Sequence, residues 1–406
     1  MSEPREAKVS IQYNGKNVTS KLNEFIKSFN YTDVASGESD SISLSLTNID
    51  KRWFNQWLPE KGDSMKANII TKNWLKDGDS NTFKCGSFTI DDYNFGGWPS
   101  EVEIGAVSIP ATESFKVTKR TKTWNSATIK SIASEIAKRA KVSFFYEGPS
   151  IKINTIEQSN QSDCEFLFRL CETYGLAMKM YANKIVIFDE ADYEKKQHVA
   201  TIDMADVDSW SFNTTLAKSY TGAEITYSDG IKGEEYKVKV GTGNRILKIN
   251  EKVDSIRDAE IKALARLHYE NKKMTTMKIT MKANPKIIAS SNILIKGLGR
   301  LDGKYAVDKV GHTIGRGYTM QIDLRLISFS SDSDNKAKSS KGIKYTVKKG
   351  DTLWAISKKF LNTGAKYMEI YRANKDIIEN AAKAHGKANS DNGNRIYPGT
   401  VLTIPE

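Results

Sequence analysis

Four histidines, three cysteines and scattered acidic pairs are the residues of this 406-residue chain whose types could do chemistry. His198, His268, His312 and His385 share no metal-ligand spacing, and neither HExxH nor CxxC occurs. His268 stands at helical spacing from Ile261, Leu264 and Ala265, which predicts a satisfied core histidine. His312 lies in a strand pattern, where a structural role is expected over proton transfer. Cys85, Cys164 and Cys171 are odd in number and spaced for no metal, so buried free thiols made in a reducing cytosol are expected. Splitting a glycosidic bond takes two carboxylates on opposed faces of a sugar. Acidic pairs such as Asp91-Asp92 occur, but nothing in the sequence sets a partner across a cleft from them. Gly241-Thr242-Gly243-Asn244 and Gly297-Leu298-Gly299-Arg300 do not complete a phosphate-binding fingerprint and read as β turns. Asp391-Asn392-Gly393 lacks the alternating ligands and closing Glu of a Ca²⁺ loop. The residues therefore predict no enzyme, no metal and no cofactor.

The elements that would position any site alternate in period along the chain. Residues 1–118 read as β: Ile42, Leu44 and Leu46 alternate with serines, and further strand patterns sit at 65–70, 87–91 and 101–109. Residues 119–200 switch to an α+β pattern. Asn125 is placed to cap a helix carrying Ile129, Ile132, Ala133, Ile136, Ala137 and Ala140, and Ser162-Asp163-Cys164-Glu165 has capping-box spacing. A second helix should stop at Gly175, followed by a hairpin turning at Ala182-Asn183. Residues 201–328 return to β around one helix near 254–271, with strict alternation of Tyr318, Met320, Ile322, Leu324 and Leu326. Residues 329–342 are polar and Ser-rich, a flexible tether with a reach of roughly 20 Å.

No apolar run approaches the ~18 residues that a membrane span needs. The first residues, Met1-Ser2-Glu3-Pro4-Arg5-Glu6, carry no apolar h-region, which predicts synthesis without a secretory signal. Net charge is +12, and residues 331–406 hold 14 basic against 8 acidic residues, so half the excess lies in that stretch. Such a segment would be drawn to an anionic wall polymer in a salt-dependent way. A solvated lysine face explains the charge equally well, and no motif supports specific nucleic-acid binding.

The charged segment continues into a readable module at 343–406. Tyr345-Thr346-Val347 reads as a strand, and Leu353, Ile356 and Phe360 place one face of a helix opened by Asp351 as cap. A second helix at 366–374 should bury Ile370 and Ala373, and Pro398-Gly399 turns into a last strand. This strand–helix–helix–strand order, with Gly350-Asp351-Thr352-Leu353-Trp354 and Ile396-Tyr397-Pro398-Gly399, resembles a LysM domain. The resemblance implies binding of N-acetylglucosamine-containing glycans such as peptidoglycan. It places the sugar groove on Gly350, Asp351, Thr352 and Leu353 and on Arg395, Ile396, Tyr397 and Pro398, with Trp354 and Phe360 in the core. Asp351 also suits a helix cap and Pro398-Gly399 a turn. The stretch 379–394 departs from the pattern, being long and free of Leu, Ile, Val and aromatic residues. It reads as a solvated loop beside the groove or as an extension of the second helix ending near Gly386.

The body is similar to the tail hub family of contractile phage tails, the late control protein D (GPD) family. Three stretches carry the similarity: Cys85-Gly86-Ser87-Phe88-Thr89-Ile90-Asp91-Asp92, the helix-to-hairpin run 163–189, and Gly303-Lys304-Tyr305-Ala306-Val307-Asp308-Lys309-Val310-Gly311-His312. The fold then expected is mostly β with α+β. Two β-barrel-like hub domains, 1–118 and 201–328, flank the 119–200 insert, with a βααβ LysM module after the tether. The resemblance implies a homotrimer joining tail tube to central spike, in contact with other baseplate proteins and peptidoglycan but with no membrane. It implies assembly in the bacterial cytoplasm and release by lysis within a phage or bacteriocin particle. A peptidoglycan-remodelling enzyme with its active site in 119–328 is the alternative. A second alternative makes the LysM module a clamp on another tail protein.

Overall fold

A computed structural model describes residues 4–108, 113–217, 219–229, 234–329, 343–361 and 363–404. The chain forms two compact units, Met1–Ser330 and Ser331–Glu406. All but the first residue of the expected tether at 329–342 lies outside the described residues. No helix among the described residues is long and apolar enough to cross a membrane.

The first unit is organised by a 13-stranded sheet. The β regions on either side of the insert share it: strand Ile26–Val34 pairs antiparallel with Gly303–Ile314, setting Tyr31 opposite His312. Strand pairing follows an open path with a branch, not a closed ring, among the described residues. Alternation explains the pairing. In Ser41–Thr47 the residues Ile42, Leu44 and Leu46 are buried while the serines between them are half-exposed, and they face the same core as Tyr318, Met320, Ile322 and Leu324. Strand Gly303–Ile314 changes partner along its length. Its first residues pair with Asn292–Lys296, and after a bulge at Val307/Lys309 it pairs with Ile26–Val34.

The insert has a core of its own. Helix Ile129–Arg139 buries Ile129, Ile132, Ala133, Ile136 and Ala137. Its cap is Thr128, in a reciprocal box with Ser131, because Asn125 is still inside the strand Lys119–Thr128. Helix Asp163–Thr173 starts at the expected capping box, Ser162 with Glu165. The chain leaves it through Gly175 at φ +71°. Ala182 and Asn183, at φ +47° and +60°, make the two-residue turn of the hairpin Leu176–Tyr181/Lys184–Asp189. Strand Ser143–Glu147 joins that hairpin in parallel. Helix Ile256–Asn271 packs on the small sheet of Gly222–Asp229, Glu234–Gly241 and Ile246–Ile249, with Ala259 and Ala263 buried against Ala223 and Ile225.

The second unit pairs Ile343–Thr346 with Val401–Ile404 and, among the described residues, places three α-helices and a short 3-10 turn between them where two helices were expected. Helix Tyr367–Ala373 buries Ile370 and Tyr371, while Ala373 is exposed. The chain breaks at Asn374, whose amide donates to Ile370 O (2.7 Å) and Thr403 O (2.8 Å) and whose oxygen accepts from Thr403 N (2.7 Å). One buried side chain thus ends a helix and ties it to the last strand. Helix Lys375–Ala384 follows, burying Ile378 and Ala382. It closes at Gly386 (φ +71°), where Gly386 N donates to Lys383 O and Lys387 N to Ala382 O. This is the paired bonding of a Schellman stop. A separate helix ending at Gly386 thus forms where an extension of the second helix or a solvated loop was expected, and residues 387–400 make the loop.

Candidate functional site

In the second unit, Val347 continues the ladder past the strands: its N–H donates to Thr400 O and its carbonyl accepts from Gly399 N, both at 2.9 Å. The turn after the first strand and the loop before the last therefore leave the ladder side by side. Gly350, at φ +91°, permits the turn that Asp351 N closes on Lys348 O (3.1 Å). Asp351 does not cap the helix. Its carboxylate accepts from Lys348 N (2.8 Å) and the Tyr345 hydroxyl (2.7 Å), which together hold it below the usual carboxylate range. The cap is Thr352, whose Oγ1 accepts from Ala355 N at 3.1 Å. Replacing Thr352 with Ala should lower the stability of this unit by about 1 kcal/mol, read as a shift of its unfolding transition by calorimetry.

Pro398-Gly399 occupies the centre of a turn in which Thr400 N donates to Tyr397 O (3.2 Å), with Gly399 at φ +89°. Of the eight residues expected to line a groove, the two stretches therefore adjoin, but they do not contribute alike. The Leu353 side chain is core, and Ile396 packs against that core, so their backbones are the parts left for a ligand. Gly350, Thr352, Arg395 and Pro398 are exposed, while Asp351 and Tyr397 are half-buried. Trp354 is not core. It is 40% exposed and lies flat on Gly364, where an added Cβ would fall 2.1 Å from its Cε2. Phe360 is half-buried against Tyr345, ring centroids 5.1 Å apart.

The long loop is pinned to the module at two points. Glu379 accepts from Ser390 N (3.0 Å), the Ser390 hydroxyl and the Tyr371 hydroxyl (2.7 Å), and Ser390 Oγ accepts from Gly393 N (2.9 Å). Gly393 sits at φ +83°, and an added Cβ would lie 2.5 Å from Leu353 Cδ1 and 2.9 Å from Tyr371 Cδ2. Gly393→Ala should therefore destabilise the unit by about 1–3 kcal/mol through overpacking, seen as a lower unfolding temperature for this unit. At the other end of the loop the His385 ring stacks on Tyr397, centroids 4.0 Å apart and planes 11° from parallel. Its Nδ1 lies 2.8 Å from Ala381 O.

Two clusters of titratable groups in the first unit join segments that lie far apart in the sequence. Lys179, on the insert hairpin, reaches Asp33 (2.6 Å) and Asp40 (3.3 Å) with both carboxylates buried. Asp33 also accepts from Ala289 N (2.8 Å), and Asp40 from Val34 N (3.1 Å) and the Tyr31 hydroxyl (3.3 Å). Burial raises the Asp40 carboxyl, with Asp33 beside it adding to the rise, whereas the two carboxylates hold Lys179 charged against its own desolvation. One lysine shared by two buried carboxylates leaves the second carboxylate the weaker acid.

Arg325 organises the other cluster, bonded to Asp308 (2.8 Å), Glu190 (3.1 Å) and Glu194. His268 belongs here and not to a core: its Nε2 lies 2.8 Å from Glu194, and its side chain is 32% exposed. Lys272 completes the cluster on Glu190 at 3.1 Å. Burial works against the Glu194 anion, but the His268 hydrogen bond and the Arg325 charge prevail and bring its pKa down to about 2. A cleft of about 350 Å³ opens beside these groups, lined by Gly37, Phe168, Leu176, His268, Tyr269 and Lys272 among others. His312 is fully buried, stacked on Tyr31 (5.7 Å), with Nδ1 2.9 Å from the Tyr318 hydroxyl. Burial pushes its pKa down to about 4. Cys85 and Cys171 are buried with thiols pushed up by burial, and Cys164 is partly buried. No group of three or more potential metal ligands occurs among the described residues.

The LysM domain model matches residues 345–381. The probable baseplate hub protein of Escherichia phage 186 is 28% identical over 175 residues, 43% of this chain and 42% of that protein. The probable baseplate hub protein of Escherichia phage P2 is 26% identical over 220 residues, 52% of this chain and 54% of that protein. The chain thus spans about half the length of the curated relatives it matches. Among solved structures, the 43 kDa tail protein of prophage MuSo2 from Shewanella oneidensis superposes with a TM-score of 0.60 at 13% identity, covering 79% of this chain and 98% of that one. By sequence the chain is a relative of phage baseplate hub proteins, by fold it is similar to a phage tail protein, and its C-terminal unit carries a LysM domain.

Proposed function

We propose that the protein is a non-enzymatic baseplate hub of a phage tail or tail-like particle. In this reading the regions 1–118 and 201–328 serve as hub domains around the 119–200 insert. They form a homotrimer that joins tail tube to central spike and contacts other baseplate proteins. The observation that carries the proposal is the shared sheet, in which both β regions meet in a fold similar to a phage tail protein over 79% of the chain. The LysM unit contacts peptidoglycan through the stretch Gly350, Asp351, Thr352 and Leu353 and the stretch Arg395, Ile396, Tyr397 and Pro398. Support for that groove is the way Val347 sets the two stretches side by side. Assembly takes place in the bacterial cytoplasm and the particle is freed by lysis.

Light-scattering mass and negative-stain images of the full chain test the hub. A threefold ring is expected, and a monodisperse monomer at high concentration would count against self-assembly. Incubation with purified peptidoglycan tests the rest. Sedimentation with the wall and no release of muropeptides is the expected pair of results; muropeptide release would replace the hub reading with a remodelling enzyme.

A further inference from the structure

We infer that His385 is a specificity-determining residue of the LysM groove: it occupies the face of Tyr397 against which a pyranose ring would otherwise lie. The inference rests on the groove reading above and adds the group that limits it. Tyr397 is the aromatic among the eight expected groove residues, and an aromatic face attracts the C–H edges of a sugar because its π cloud is electron-rich. That attraction needs a free face. The imidazole lies parallel to the phenol at 4.0 Å, ordinary stacking contact, so no sugar ring fits between them.

The ring is held there by the backbone. His385 is the last residue before the Gly386 stop, so its position is set by the helix Lys375–Ala384, and its Nδ1–H donates to the Ala381 carbonyl, which also accepts from His385 N. This bond fixes the tautomer of the neutral ring. The helix exists because of the same long segment that departs from the LysM pattern. Its far end is anchored through Ser390 to Glu379 and through Gly393 against Leu353 and Tyr371. The segment therefore touches a groove residue from each stretch, Tyr397 through His385 and Leu353 through Gly393. It works as a strap whose exposed, displaceable part is the imidazole. A glycan must either displace His385 or bind without stacking on that face of Tyr397, and both lower affinity for neutral oligosaccharides.

The test compares the full-length wild type with His385→Ala, His385→Phe and Tyr397→Ala. Binding is measured by calorimetric titration with an N-acetylglucosamine tetramer and by sedimentation with peptidoglycan. His385→Ala should tighten tetramer binding about 3- to 10-fold, or reveal binding where the wild type has none. His385→Phe, which keeps a ring over Tyr397, should stay within about twofold of the wild type, and Tyr397→Ala should abolish the gain when combined with His385→Ala. Unchanged or weaker binding by His385→Ala, with the wild type binding normally, overturns the role of His385 and leaves the groove standing. Absence of binding by every variant to either ligand overturns the groove itself, and the inference with it.

Discussion

Replacing Lys179 with Met should cost the first unit about 3–5 kcal/mol, since removing one partner of a buried ion pair strands the other. Here two are stranded. Asp33 and Asp40 face the vacated space with little solvent, and Asp40 is already held up by burial. Neither carboxylate can move away without breaking other bonds, because Asp33 holds Ala289 N and Asp40 holds Val34 N. The effect should appear as a fall in the urea midpoint without a change in slope. The triple replacement Lys179→Met, Asp33→Asn, Asp40→Asn should recover much of the loss, since it removes the unpaired charges together. A single variant as stable as the wild type would mean that water reaches the triad freely.

Arg325→Met should have an effect of the same size, about 3–5 kcal/mol, and a different pH signature. The guanidinium holds the three carboxylates Glu190, Glu194 and Asp308, and its loss would leave Glu190 to Lys272 and Glu194 to His268. Arg325→Lys should fall between, keeping the charge but not the planar fork. The sign of the pH dependence follows from Glu194. Its folded pKa of about 2 lies below the ordinary value of 4.5, so its contribution is complete above 4.5 and is lost as pH falls through 2. His312 adds a second acid-labile contribution. With a folded pKa of about 4 against 6.5, it favours the fold above 6.5 and loses that effect as pH falls to 4. Wild type should therefore lose stability in two steps on acidification, and Arg325→Met should lose most of the lower one. Urea midpoints from pH 7 to 2 measure both.

Local patterns carried much of the fold. The alternation in Ser41–Thr47 and Tyr318–Phe329, the capping box at Ser162 and the turn at Ala182-Asn183 depend on residues that touch within a few positions, so the sequence displays them. The cap at Asn125 was misplaced because Asn125, Ser126 and Thr128 are all plausible caps, and only the strand Lys119–Thr128 decides among them. Helix Lys375–Ala384 was half visible. Its buried stripe is only Ile378 and Ala382, an alanine where a larger residue would have announced the period. The ionic clusters were invisible for a different reason. Lys179 lies about 140 residues along the chain from Asp33 and Asp40, and nothing local in any of them announces a partner. His268 reads as core by spacing, yet its ring meets Glu194 of the helix Glu190–Lys195, whereas Ile261 on the same helix packs on the insert core. In the groove, the two stretches were legible as a pattern, whereas the burial of Leu353 and the imidazole over Tyr397 follow from packing across the module.

The pairing of Ile26–Val34 with Gly303–Ile314 has a consequence for how the protein is made. A ribosome adds residues at about 5–20 per second, so the early strand waits on the order of tens of seconds before its partner emerges. Through that interval Phe29 and Tyr31, fully buried in the finished sheet, have only their local neighbours for cover. The insert, with a separate core built from near neighbours in sequence, can fold during the wait and hold Lys179 ready. Completion of the central sheet is thus deferred to the end of synthesis of the first unit. Variants that weaken Ile26–Val34 should be felt first as loss of soluble yield, before any loss of stability in the protein that does fold.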